Sequence, residues 1–175
     1  MNLQYEDLLE RLRRLDEDVA LIDDSDFRYR MVIVGGGALI LMHYLTRVTH
    51  DIDALGAPQA IYHLLAKYDI NTQATAYEDS FPYNYEDRLV PLPIQGKKID
   101  FCAASLEDVV IAKLHSNRDT DLHDIEQPAV LKALNWNLLD RLAQADDEAQ
   151  ASALNMRRHQ EFLLSYQEYR KRHRP

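Results

Sequence analysis

The stretch Val32–Leu55, VIVGGGALILMHYLTRVTHDIDAL, decides how this chain reads. Arg30–Val34 (RMVIV) is short, β-branched and nearly all apolar, the pattern of a buried strand. Gly35, Gly36 and Gly37 follow, three of only five glycines among 175 residues, and a helix-compatible stretch runs from Ala38 to Leu45. His50–Leu55 (HDIDAL) reads as a second strand. Asp51 and Asp53 stand two apart on it, so both side chains leave one face, roughly 6–7 Å apart along the chain, while Ile52 points into the core. Carboxylates at that spacing suit one or two Mg²⁺ ions. Glycines lack a Cβ, so the N–H groups of such a turn can approach a phosphate at a helix N-terminus. A dinucleotide fingerprint would need a glycine where Ile40 stands, and a Walker loop would need Gly-Lys-Ser/Thr, which is absent.

Outward from this segment, Leu8, Leu12, Leu15, Val19 and Ile22 recur at helical spacing and form one apolar stripe, ended by Asp23-Asp24-Ser25-Asp26. Pro58 suits the first turn of a helix running to about Lys67. Tyr77–Asp87 is polar and aromatic. It reads either as a long connection or as a lid whose Phe81, Tyr83 or Tyr85 stacks on a base. Arg88–Leu92 and Lys97–Cys102 look like a strand pair around Pro93 and Gly96. Ser105, with Asp108 three residues on, caps a helix carrying Leu106, Val109, Val110, Lys113 and Leu114. Helices are then expected over about 121–133, 137–147 and 152–172. The expected fold is α/β (α+β): a small mixed β-sheet core over 28–126, an N-terminal helix over 1–27 packing on it, and a C-terminal helical extension over 127–175.

Composition narrows the function. With 20 Lys and Arg against 29 Asp and Glu, the formal charge is −9, wrong for a protein that binds nucleic acid by coating phosphates, and no DNA partner is expected. The segment from Arg157 to Pro175 is the exception, with six Lys and Arg against two Glu. Such a tail can grip RNA, dock on the acidic body, or be a solvated helix end. No apolar run approaches the ~20 residues of a membrane span. The polar, acidic start MNLQYEDLLERLRR is not a secretory pattern, so the expectation is a cytoplasmic protein. The single cysteine, Cys102, leaves no internal disulfide and reads as a small buried apolar residue. The histidines show no metal-ligand spacing backed by cysteine, and no zinc is expected.

At Val34-Gly35-Gly36 and Asp51-Ile52-Asp53 the chain resembles the nucleotidyltransferase superfamily. Arg47-x-Thr49-x-Asp51-Ile52-Asp53 looks most like its minimal branch, linked to phage abortive infection and toxin–antitoxin pairs. Ile99-Asp100-Phe101 is similar to the family's third acid on a later strand. Lys113, Arg118 and Asp121-Leu122-His123-Asp124-Ile125 are similar to the branch's helical motif. The resemblance covers about residues 30–125. It implies a Mg²⁺-dependent (or Mn²⁺-dependent) enzyme that moves a nucleoside monophosphate from a nucleoside triphosphate to a macromolecular acceptor, an RNA such as tRNA or a protein. Asp51, Asp53 and Asp100 would be metal ligands, with Asp100 also helping to deprotonate the acceptor hydroxyl. Gly35, Gly36, Gly37, Arg47 and Thr49 would line the nucleotide. Lys113 would neutralise the leaving pyrophosphate. Asp121 and Asp124 would either orient Lys113 or contact the nucleotide. A cognate operon partner protein belongs to the same expectation. Two other readings are a non-catalytic binding or regulatory protein on the same fold, and an enzyme nucleotidylating a small cationic molecule.

Overall fold

The computed structural model describes residues 3–144 and 156–175. Two compact units make up the chain: Met1–Thr75 with Leu89–Ala104, and Ala76–Arg88 with Ser105–Pro175. The N-terminal helix falls in the first unit, with the sheet, and the residues after Ala104 fall in the second.

The first unit runs α1 (Leu3–Ile22), β1 (Tyr29–Ile33), α2 (Gly35–Leu41), β2 (Ile52–Leu55), α3 (Tyr62–Leu65), β3 (Ile70–Asn71), β4 (Val90–Pro91) and β5 (Ile99–Ala103). The sheet order is β3-β2-β1-β5-β4. It is mixed, as expected: β1 pairs antiparallel with β2 and parallel with β5, β2 with β3 is parallel, and β4 with β5 is antiparallel. The apolar run in β1 is explained by this central place, since Met31, Val32 and Ile33 are all buried between neighbours on both sides. On α1, Leu8, Leu12, Leu15 and Val19 are buried, each contributing roughly 1.5–3 kcal/mol of apolar transfer before chain entropy is counted. The stripe ends one turn earlier than its periodicity suggests, because Ile22 is 58% exposed.

One polar contact ties α1 to the sheet. Asp16, buried on the apolar side of the helix, accepts the N–H groups of Lys97, Lys98 and Ile99 at 2.6, 2.8 and 2.8 Å. These are the residues that lead into β5, so a helix carboxylate sets where that strand starts. The helix expected over 58–67 is broken into short 3₁₀ turns around the four residues of α3. β3, two residues long, left no periodic signal in the sequence.

The second unit holds α4 (Leu106–Ser116), α5 (Asp119–Ile125), α6 (Pro128–Ala133), α7 (Trp136–Gln144) and α8 (Met156–His173). Ser105 Oγ caps α4 by accepting Asp108 N–H at 3.2 Å and donates to Asp108 Oδ2 at 2.6 Å. The expected helix over 121–133 is two helices, since Pro128 has no N–H to continue α5 and instead opens α6. The expected stretches 145–147 and 152–155 lie outside the described residues. Phe162, Tyr166 and Tyr169 recur at helical spacing on α8 and are buried.

The basic C-terminal segment docks within this unit. Arg170 donates to Asp140 at 2.9 Å, and Arg174 also pairs with Asp140. Arg172 and His173 meet Glu126 at 2.8 and 3.1 Å. In the aromatic stretch, Phe81 and Tyr85 are buried with ring centroids 5.4 Å apart, while Tyr83 is exposed. Two of the three candidate stacking rings are thus packing residues. Arg88 fixes the end of this stretch through a bidentate pair with Asp108, at 3.0 and 2.8 Å.

Candidate active site

The glycine turn connects β1 to α2. Gly35 has φ 62°, a left-handed conformation that glycine adopts without steric cost. A Cβ there would stand 2.9 Å from Asp53 Oδ2, and one on Gly36 would stand 2.7 Å from Arg47 Nη2. The two bare glycines therefore admit one carboxylate oxygen and one guanidinium to the start of α2. The first bond inside this helix is Ala38 N–H to Val34 carbonyl, at 3.3 Å, so the N–H groups of Gly35, Gly36 and Gly37 precede the helical ladder. Gly37 differs from the other two. It is buried, and a Cβ there would only touch Ile33 and Ile52.

Asp53 lies in β2, its backbone carbonyl accepting Val34 N–H at 2.9 Å. Its side chain is half-buried, and Oδ1 accepts Asn71 Nδ2 at 3.0 Å. Asp51 stands just before the strand and is exposed, while Ile52 between them is fully buried. Burial alternates across Asp51-Ile52-Asp53, but the strand expected to carry both acids begins only at Ile52. Thr49 Oγ1 donates to the Asp51 carbonyl at 3.0 Å, and Arg47 Nη1 to the Val48 carbonyl at 3.0 Å. Both residues order the loop that delivers the acids.

Asp100 does not join them. It lies in register with Arg30 on β5, whereas Asp53 bonds at the level of Val34. Four residues separate those levels, about 13 Å along the strands, with two interstrand spacings of about 4.8 Å added. Asp100 is engaged where it is: Arg28 Nε donates to its Oδ2 at 3.3 Å and Arg28 Nη2 to its Oδ1. The Arg28 hydrogen bond holds this carboxyl below the usual aspartate range. Among the described residues no three His, Cys, Asp or Glu side chains are grouped to hold a metal.

Lys113 belongs to the second unit and is 5% exposed. Its ammonium donates to Asp121 Oδ1 at 2.5 Å and Asp124 Oδ2 at 2.9 Å. Asp121 also accepts from Arg118 Nε at 2.7 Å and from Ser116 Oγ. Burial pushes the Asp121 pKa up, but the bonds from Lys113, Ser116 and Arg118 outweigh it and leave it lowered. Asp121 and Asp124 both hold the Lys113 ammonium. Asn71, Asp16, Arg28 and Arg88 all escaped the sequence reading, because each acts on a residue placed beside it only by strand pairing or packing.

A bare glycine turn leaving a central strand, with an Asp-x-Asp pair entering the antiparallel neighbour, defines an α/β protein of nucleotidyltransferase type. The chain belongs to the family described as nucleotidyltransferase of unknown function (DUF6036), whose profile matches residues 10–174. No curated protein matches it, and no solved structure does. Among the described residues no helix is long and apolar enough to cross a membrane.

Proposed function

We propose that this protein is a Mg²⁺-dependent nucleotidyltransferase that moves a nucleoside monophosphate from a nucleoside triphosphate to a macromolecular acceptor, an RNA such as tRNA or a protein. The approach of Asp53 Oδ2 to the bare Gly35 carries the reading, because it brings a carboxylate to a glycine turn whose N–H groups precede the helical ladder and can take a phosphate. Asp51 and Asp53 fit Mg²⁺, a hard cation usually held by one or two carboxylates together with substrate phosphates. Mn²⁺ suits the same oxygens. A cation held by Asp51 and Asp53 would supply positive charge against the triphosphate. Gly35 and Gly36 donate N–H bonds to phosphate oxygens, and Arg47 adds a positive charge at the same turn. Transfer forms the bond from the α-phosphorus to the acceptor oxygen, breaks the α–β anhydride and releases pyrophosphate, the acceptor hydroxyl's proton passing to water. Work within a toxin–antitoxin or phage-defence pair, beside a cognate partner protein, completes the proposal.

A second reading, a non-catalytic partner protein on the same fold, is favoured by the occupation of two expected catalytic groups. Asp100 is clamped by Arg28, and Lys113 by two carboxylates. Isothermal titration of ATP, GTP, CTP and UTP, with and without Mg²⁺, separates the two. Mg²⁺-dependent binding that disappears in the Asp51→Ala/Asp53→Ala double variant supports the enzyme. No binding by folded wild type, with a stable complex co-purifying, supports the partner protein.

A further inference from the structure

Asp53 is held from the edge of the sheet by Asn71, a residue for which neither the glycine turn nor the Asp-x-Asp pattern has a role. Asn71 stands opposite Asp53 in the parallel β2–β3 pair and donates from Nδ2 to Asp53 Oδ1 at 3.0 Å. Its own Oδ1 accepts Gln73 N–H at 2.9 Å. These two bonds fix the amide at both ends. Turned over, it would set its oxygen against the carboxylate and its NH₂ against a donor, losing both bonds. Asp53 therefore keeps Oδ1 toward Asn71 and Oδ2 toward Gly35.

The torsion that spins an aspartate carboxylate is broad and nearly two-fold, so which oxygen Asp53 turns to the glycine depends on the partners its carboxylate meets. A hydrogen bond to a charged acceptor is among the stronger ones. The neutral amide supplies it without the like-charge repulsion that a third acid beside Asp53 would bring. From this geometry we infer that Asn71 is a positioning residue: it holds the Asp53 carboxylate with Oδ1 toward the sheet edge and Oδ2 toward the glycine turn, the orientation in which Asp53 would meet a divalent cation carried by a nucleoside triphosphate. The inference rests on the proposed nucleotide site. It adds that the metal affinity of that site is set in advance by a residue that touches neither metal nor nucleotide, since ordering a ligand beforehand removes that cost from binding.

The experiment is a Mg²⁺ titration of NTP binding, using the four common NTPs, for wild type, Asp53→Ala, Asn71→Leu and Asn71→Ser. Leucine keeps the shape of asparagine without a donor. Serine can still accept Gln73 N–H but is one bond shorter on the side of Asp53. In both Asn71 variants the half-saturating Mg²⁺ concentration is expected to rise about tenfold, the scale of one lost bond to a charged group, while NTP affinity without Mg²⁺ and the melting temperature stay close to wild type. Unchanged Mg²⁺ dependence in the Asn71 variants, with Asp53→Ala inactive in binding, overturns the inference and leaves the nucleotide site standing. Restoration of wild-type Mg²⁺ dependence by serine alone places the role of Asn71 in the turn at Gln73 and also overturns it. Absence of any Mg²⁺-dependent NTP binding by wild type sinks the site and the inference together.

Discussion

The Lys113 ammonium lies 2.5 Å from Asp121 Oδ1, a buried ion pair that Asp124 completes from the other side at 2.9 Å. The lysine read from the sequence as a phosphate ligand is thus the centre of a neutralised cluster joining α4 to α5. Such a cluster is more costly to break than to omit, because removing one partner strands the others' charge in a low dielectric. Lys113→Met removes the cation that two buried carboxylates share and is expected to lower stability by about 3–5 kcal/mol. Urea unfolding measures it; a midpoint within error of wild type would mean the cluster carries no structural weight.

The Asp16 carboxylate gives an independent test of how α1 sets β5. Asp16→Ala orphans three N–H groups at once and is expected to cost roughly 2–4 kcal/mol. Asp16→Asn keeps Oδ1, which serves Lys98 and Ile99, and loses only the Lys97 bond, so it should recover most of that stability. Equal melting temperatures for the two variants would show that the triple contact is not what holds the strand.

Gly35→Ala addresses the glycine turn directly. A Cβ at φ 62° costs roughly 1–2 kcal/mol in backbone strain and collides with Asp53 Oδ2. We expect a lower melting temperature together with lost Mg²⁺-dependent NTP binding. Gly37→Ala, which meets only Ile33 and Ile52 at ordinary contact distance, should keep that binding. If Gly35→Ala binds NTP like wild type, the turn is not the phosphate cradle.

Acid sensitivity should come from His115. Its ring stacks on Phe162 with centroids 4.0 Å apart, and burial, with Arg158 and His159 nearby, pushes its pKa down to about 4. The unfolded chain binds this proton near pH 6.5, so between about 6.5 and 4 the unfolded state holds more protons and stability falls as pH falls. Asp121 is lowered instead, so its contribution is lost only below the ordinary aspartate range. Urea midpoints measured from pH 7 to 4 should decline for wild type and decline less for His115→Phe. Parallel curves would assign the acid loss to another group.

Much of the fold was legible because its signals are local. The α1 stripe repeats every three or four residues, β1 is a continuous apolar run, Ser105–Asp108 is a cap within one turn, and Gly35-Gly36 with Asp51-Ile52-Asp53 sits inside one β-α-β stretch of 24 residues. Periodicity and turn chemistry act over such distances. The signal for splitting the helix at Pro128 was also local, although the apolar pattern on either side masked it.

What lay beyond the sequence depends on register and packing. Asp100 was expected as a third metal ligand because Ile99-Asp100-Phe101 resembles the family's third acid on a later strand. Only the parallel pairing of β1 with β5 sets it opposite Arg30, at the far end from Asp53 and within reach of Arg28. Asn71 met Asp53 only because a two-residue strand happens to pair there, and Lys113 met its carboxylates only when α5 folded back on α4. The sequence by itself determined which residues are candidates for the chemistry and which local elements hold them. Tertiary structure decided which charges face one another, because electrostatic partnership depends on distance in space and the chain's spacing does not encode it.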